Sequence, residues 1–165
     1  ILGVDLGSKL NGYFGDSART LPVGKISKAD EELIACSKDT LEFAIKTIRV
    51  GMHFKELSFE IEKFIRARGF VPLYGFCGHG IGRGFHEAPQ VVHYGRKGEG
   101  LVLKPGMIFT IEPMINQGKR HLRILNDGWT VVTKDRSLSA QWEHEVLVTE
   151  TGYEILTISP ASGKP

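Results

Sequence analysis

The dipeptide Asn11-Gly12, set between two strand-like runs, constrains this chain more than any other feature. Both central residues of a type I′ turn need positive φ, which asparagine and glycine tolerate best, so Asn-Gly in this setting dictates a tight hairpin. Strands are expected over residues 2–7 and 13–19. A two-residue loop at 11–12 pairs 10 with 13 and so sets the register: Gly7 faces Asp16, and Asp5 faces Ala18. Side chains alternate along a strand. Asp5 and Asp16 therefore share one face as diagonal neighbours, about 7–8 Å apart. Aspartate is a poor strand former. Two on one face either converge on a cation or stand at water-exposed edges, and the hairpin alone does not choose.

The rest of the chain reads as one domain. Residues 24–30 are polar and turn-like. Leu41, Ala44, Ile45 and Ile48 recur at helical spacing, which predicts a helix over about 30–49, with Gly51 as a stop. Leu57, Ile61, Phe64 and Ile65 define the apolar face of a second helix over about 54–68, ended by Gly69. Strand-like runs follow at 70–76, 107–115, 120–125, 129–133 and 142–149. The expected class is α+β, a layer of hairpin strands with two helices packed on it. The composition after Thr157 predicts a disordered tail, 158–165. Net charge is +2, which gives no argument for nucleic acid, and no run of about 18 or more apolar residues suggests a membrane span. Lys119, Arg120 and Arg123 read as a solvated loop. Two cysteines, Cys36 and Cys77, make no disulfide framework, which suits a reducing compartment.

The chemistry concentrates in three places. The first is Cys77-Gly78-His79-Gly80-Ile81-Gly82-Arg83-Gly84-Phe85-His86-Glu87. Its glycines oppose a helix and permit close backbone approach. A zincin would need histidine at 90, where Gln90 stands, and a dinucleotide fingerprint from Gly78 would need glycine at 83, where Arg83 stands. No papain-like or caspase-like signature surrounds Cys77. Two histidines seven residues apart remain. On a regular strand they would face opposite ways, so one metal ligand and one substrate-contacting group is the economical assignment. The second place is Glu112, inside the apolar run 107–115. A buried glutamate needs a partner, and a cation would be one. The third is Glu143-His144-Glu145, where spacing does not say which member is functional. Carboxylates with imidazole and no required thiolate favour pairs of Mn²⁺, Co²⁺, Fe²⁺ or Zn²⁺, held about 3.5–4 Å apart in two-metal hydrolases.

Those strings, together with Gly12-Tyr13-Phe14-Gly15-Asp16, Thr110-Ile111-Glu112-Pro113, Asp127-Gly128-Trp129-Thr130 and Ser139-Ala140-Gln141-Trp142-Glu143-His144-Glu145, resemble type I methionine aminopeptidases over residues 2–157. The resemblance implies a pita-bread fold over a catalytic domain at 1–157. It implies two divalent metals on Asp5, Asp16, His79, Glu112 and Glu143. Glu112 would also serve as general base, and His86 would stabilise the tetrahedral intermediate. Phe85 and Trp129 would wall the methionine pocket. It selects Glu143 over Glu145, which is then a surface or supporting residue. The implied reaction removes the initiator methionine from nascent polypeptides whose second residue is small, in the cytoplasm.

Prolidases and Xaa-Pro aminopeptidases share the fold and the five ligands, and a non-catalytic binding module on this fold is a further alternative. Type II enzymes carry an insertion between the second histidine and the first glutamate, and only 25 residues separate His86 from Glu112. Family members also carry a segment ahead of the Asp5 strand that this chain lacks. A monomer that associates with that segment, and apolar surface where it would pack, are the corresponding expectations.

Overall fold

The computed structural model describes residues 1–98 and 100–158. It opens with β1 (Leu2–Leu10) and β2 (Tyr13–Leu21), joined by Asn11 (φ 50°) and Gly12 (φ 86°). The register is the one that turn chemistry predicts, with Gly7 opposite Asp16 and Asp5 opposite Ala18. Both strands outrun their expected ends: β1 stays paired up to the turn, with Leu10 opposite Tyr13, and β2 stays paired to the open end, with Leu21 opposite Leu2.

Helix α1 (Lys28–Thr47) begins ahead of its expected start because the Ser27 side chain accepts the N–H of Asp30 as a cap. It stops short of 49 because Ile48 is already extended. Helix α2 (Phe54–Arg66) buries Leu57, Ile61 and Ile65, and Gly69 follows at φ 81°. Phe43 of α1 stacks on Phe64 of α2 with centroids 4.3 Å apart.

The second half is strand-rich: β3 (Val71–Pro72), β4 (Gly78–Gly80), β5 (Glu87–Val91), β6 (Ile108–Ile111), β7 (Met114–Asn116), β8 (Leu122–Ile124), β9 (Val131–Thr133), β10 (Ser139–Gln141), β11 (His144–Thr149) and β12 (Gly152–Ile155). Strands β12-β11-β6-β4-β5 form one sheet, β10-β7-β3 a second, and β8-β9 a separate ribbon. The single run expected at 107–115 is two strands in two sheets. Pro113 carries no N–H for a ladder, and Glu112-Pro113 is the link between them. The run expected at 142–149 likewise starts at His144 and leaves Glu143 between β10 and β11. Strands β4, β5, β10 and β12 lie outside the expected strand runs. At β4 the glycines are a packing requirement, since a Cβ on Gly78 would strike the carbonyl of Thr110 and one on Gly80 that of Ala88.

The core joins Leu33, Leu41, Ala44 and Ile45 of α1, and Leu57, Ile61 and Ile65 of α2, to Phe109, Ile111, Val146 and Val148 of the five-stranded sheet. The α+β class is the expected one. Among the described residues, no helix is long and apolar enough to cross a membrane. Of the expected tail, residues 159–165 lie outside the described residues.

Candidate metal centre

Hairpin parity builds one wall of the site. Side chains at positions 7 and 16 share the inner face, and the N–H groups of Phe14 and Asp16 point away from β1. Phe14 donates to the carbonyl of Gly82 at 2.8 Å, and Asp16 donates to the Glu145 carboxylate. Glu143 in turn donates its N–H to Ala18 at 2.9 Å. The outer edge of β2 is thus sealed by the glycine-rich segment and by the β10–β11 link, which brings both beside the hairpin.

A cavity of about 620 Å³ lies at that junction. Asp5, Asp16, His79, His86, Glu112, Glu143 and Phe85 all line it. His79 sits on β4 and His86 in the loop before β5, so the strand parity that would separate them does not apply. Their rings meet edge to face at 4.3 Å. Phe85 packs over Gly7, where an added Cβ would come within 2.6 Å of its ring, and meets Phe14 at 5.3 Å. Trp129 is not brought in. It does not line the cavity: β8–β9 is a ribbon of its own whose turn leaves Trp129 87% exposed. Asp127 holds that turn by accepting the N–H groups of Trp129 and Thr130.

The donor set fits divalent metal. His79 Nδ1 donates to the Gly80 carbonyl at 3.0 Å. The proton therefore sits on Nδ1, and Nε2 presents its lone pair 3.5 Å from Asp16 Oδ2 and 3.7 Å from Glu112 Oε1. Ligand atoms of Asp16, His79 and Glu143 lie within 4.8 Å of one another. Asp16 Oδ1 is buried with no hydrogen-bond partner. Burial raises the Glu112 carboxyl to about 8, with Asp16 and Asp5 adding repulsion against a hydrogen bond from Thr110 that opposes the rise. Burial, then Glu112 and the other acids, raises Glu143 to about 9. Burial also raises Asp5 and Asp16. Carboxylates held this close without a cation favour protonation, and a dication removes that penalty.

Geometry separates the three side chains at 143–145. Glu143 lines the cavity, while His144 Nδ1 turns to the Thr157 hydroxyl at 2.8 Å. Glu145 is no surface residue: it is buried beneath β2, where it takes the Asp16 N–H. Sequence reasoning missed the groups that hold Glu112. Thr110 donates to Oε1 at 2.8 Å and accepts the His79 N–H at 3.0 Å. Gln141 donates to Oε2 at 3.3 Å. Strand alternation would have found Thr110, two residues before Glu112 on the same side. Cys77, Phe76, Glu87, Ala88 and Gln90 complete the lining, and no spacing rule singles them out.

Comparison with known proteins places this geometry. The chain is 48% identical over 158 residues to a methionine aminopeptidase of Escherichia coli, covering 96% of the chain and 60% of that protein. It is 50% identical over 161 residues to one from Helicobacter pylori, covering 95% and 64%. It thus spans about 60% of the length of these curated relatives. The crystal structure of a Thermotoga maritima methionine aminopeptidase superposes with a TM-score of 0.93 at 41% identity, over 95% of this chain and 63% of that one. A Pyrococcus furiosus prolidase superposes at 0.76 with 28% identity, over 95% and 41%. The fold is accordingly the pita-bread arrangement of those enzymes. The model of metallopeptidase family M24 matches residues 1–150, and the chain belongs to that family, whose members bind divalent metal.

Proposed function

We propose that this chain is the catalytic part of a methionine aminopeptidase, which removes the initiator methionine from nascent polypeptides whose second residue is small. The observation that carries the reading is the convergence of Asp5, Asp16, Glu112 and Glu143 with His79 and His86 on one cavity, in a chain half identical to proteins of that name. Asp5, Asp16, His79, Glu112 and Glu143 would hold two ions, drawn from Co²⁺, Mn²⁺, Fe²⁺ or Zn²⁺. Bound there, such a pair acidifies water and polarises the scissile carbonyl. Glu112 receives the proton of the attacking water on its carboxylate, which Thr110 and Gln141 keep in place. His86 donates to the carbonyl oxygen as negative charge grows there. Phe85 supplies an apolar wall for the methionine side chain. The partners are nascent chain ends, the setting the cytoplasm, and the working form a monomer.

Cleavage before proline is the second reading, favoured by the shared fold of the Pyrococcus furiosus prolidase. Its lower identity and TM-score place it behind. The test is release of free methionine from a Met-Ala-Ser peptide with added Mn²⁺ or Co²⁺, against an Ala-Pro dipeptide. Methionine release alone supports the proposal. Cleavage of the dipeptide alone replaces it with the second reading.

A further inference from the structure

We infer that His93 is a positioning residue for Glu112, setting the direction of that carboxylate through the main chain. The inference rests on the metal-site reading above.

Glu112 occupies the step from one sheet to another. Ile111 before it pairs with His144, and Met114 after it pairs with Gln141. Pro113 has no N–H, and the N–H of Glu112 belongs to neither ladder. Left unpaired at a residue only 8% exposed, that group would be costly. The imidazole of His93 takes it: Nε2 accepts the Glu112 N–H at 3.1 Å. Acceptance at Nε2 puts the ring proton on Nδ1, so the ring acts as a neutral acceptor.

His93 is itself anchored. Ser58 of α2 donates its hydroxyl to the carbonyl of the preceding Val92 at 2.6 Å. Val91 pairs with Gly78 at the head of β4, beside His79. The histidine is 2% exposed and does not line the cavity. Glu112 is therefore held at both ends. Thr110 and Gln141 take the carboxylate oxygens, and His93 takes the peptide. With an apolar side chain at 93, the peptide between Ile111 and Glu112 would turn to find another acceptor. The carboxylate would turn with it, out of register with Asp16 and His79. Groups that orient a metal ligand from behind typically carry about 10–100-fold in affinity.

The test compares Mn²⁺ binding by calorimetry for the unsubstituted chain, His93→Gln and His93→Leu, each at its measured folded fraction. The glutamine side chain can offer its amide oxygen where Nε2 stands, while leucine offers no acceptor. Expected is a loss of about 10–100-fold for His93→Leu and affinity within about threefold of the parent for His93→Gln. A purely structural role would not be rescued by glutamine. Equal affinity in His93→Leu overturns the inference and leaves the metal reading intact. Absence of Mn²⁺ binding by the unsubstituted chain overturns both. If His93→Leu does not fold, the scalar coupling across the hydrogen bond between Glu112 N and His93 Nε2 decides in the parent protein: its presence together with the glutamine result supports the inference, and its absence overturns it.

Discussion

The two faces of the β1–β2 hairpin invert the usual arrangement. The inner face carries Asp16 and Thr20, polar and almost fully buried at 4% and 2% exposed. The outer face carries Leu6 and Leu10, apolar and 66% and 75% exposed, with Leu2 and Leu21 in the same row. Ordinarily a one-sided sheet buries its apolar row and wets its polar one. Here the buried polar row has partners that do what apolar packing does elsewhere. The Thr20 hydroxyl donates to the Gln141 carbonyl and accepts the Gln141 N–H, both at 2.9 Å. Asp16 faces His79 at 3.5 Å, with one oxygen left over. A polar face is buried where the chemistry needs it dry, and the energetic cost falls on the carboxylates. The outer face asks nothing of chemistry and keeps its apolar row in water.

The contrast breaks first at Asp16. Asp16→Asn keeps the shape and removes the charge, and it is expected to lower Mn²⁺ affinity by more than the roughly hundredfold lost with supporting groups, as read by calorimetry. Unchanged affinity would mean that the inner face is polar for some other reason.

The buried acids also set a pH dependence. Glu112 and Glu143 are raised from 4.5 to about 8 and about 9 in the folded, metal-free chain. The folded state therefore holds protons that the unfolded state has released. Their contribution is fully present below 4.5 and is lost as pH rises through about 8 and about 9. Thermal melts of the metal-free protein should fall across that window. Mn²⁺ at about a hundred times its dissociation constant should add about 2.7 kcal/mol, with binding that tightens as pH rises because protons must leave. A metal-free melt that rises through the same window would contradict this account.

The smallest effects separate the faces directly. Gly7→Ala places a Cβ against the Phe85 ring, and overpacking of this kind costs about 1–3 kcal/mol in denaturant unfolding. Leu6→Lys on the opposite face should stay within about 0.5 kcal/mol, leave Mn²⁺ affinity unchanged and reduce self-association by light scattering. Equal costs for the two would erase the distinction between the faces.

Local rules carried much of this protein. Asn11-Gly12 alone determined the hairpin and its register, because only a two-residue turn with positive φ fits there. Periodicity placed α1 and α2 to within a few residues, and the long motifs named the family and its candidate ligands. The tertiary structure decided what depends on contacts between distant segments. It broke the apolar run at 107–115 across two sheets at Glu112, since a proline without an N–H could not continue the ladder. It brought His86 beside His79 by a loop that strand parity does not govern. It left Trp129 exposed on a separate ribbon and outside the cavity lining. It also turned Glu145 inward to a backbone N–H that hairpin parity had left free. Turn chemistry and periodicity act over a few residues and are written in the order of the chain. The partner of a buried polar group is chosen by which segments pack against it, and that is settled only when the sheets assemble.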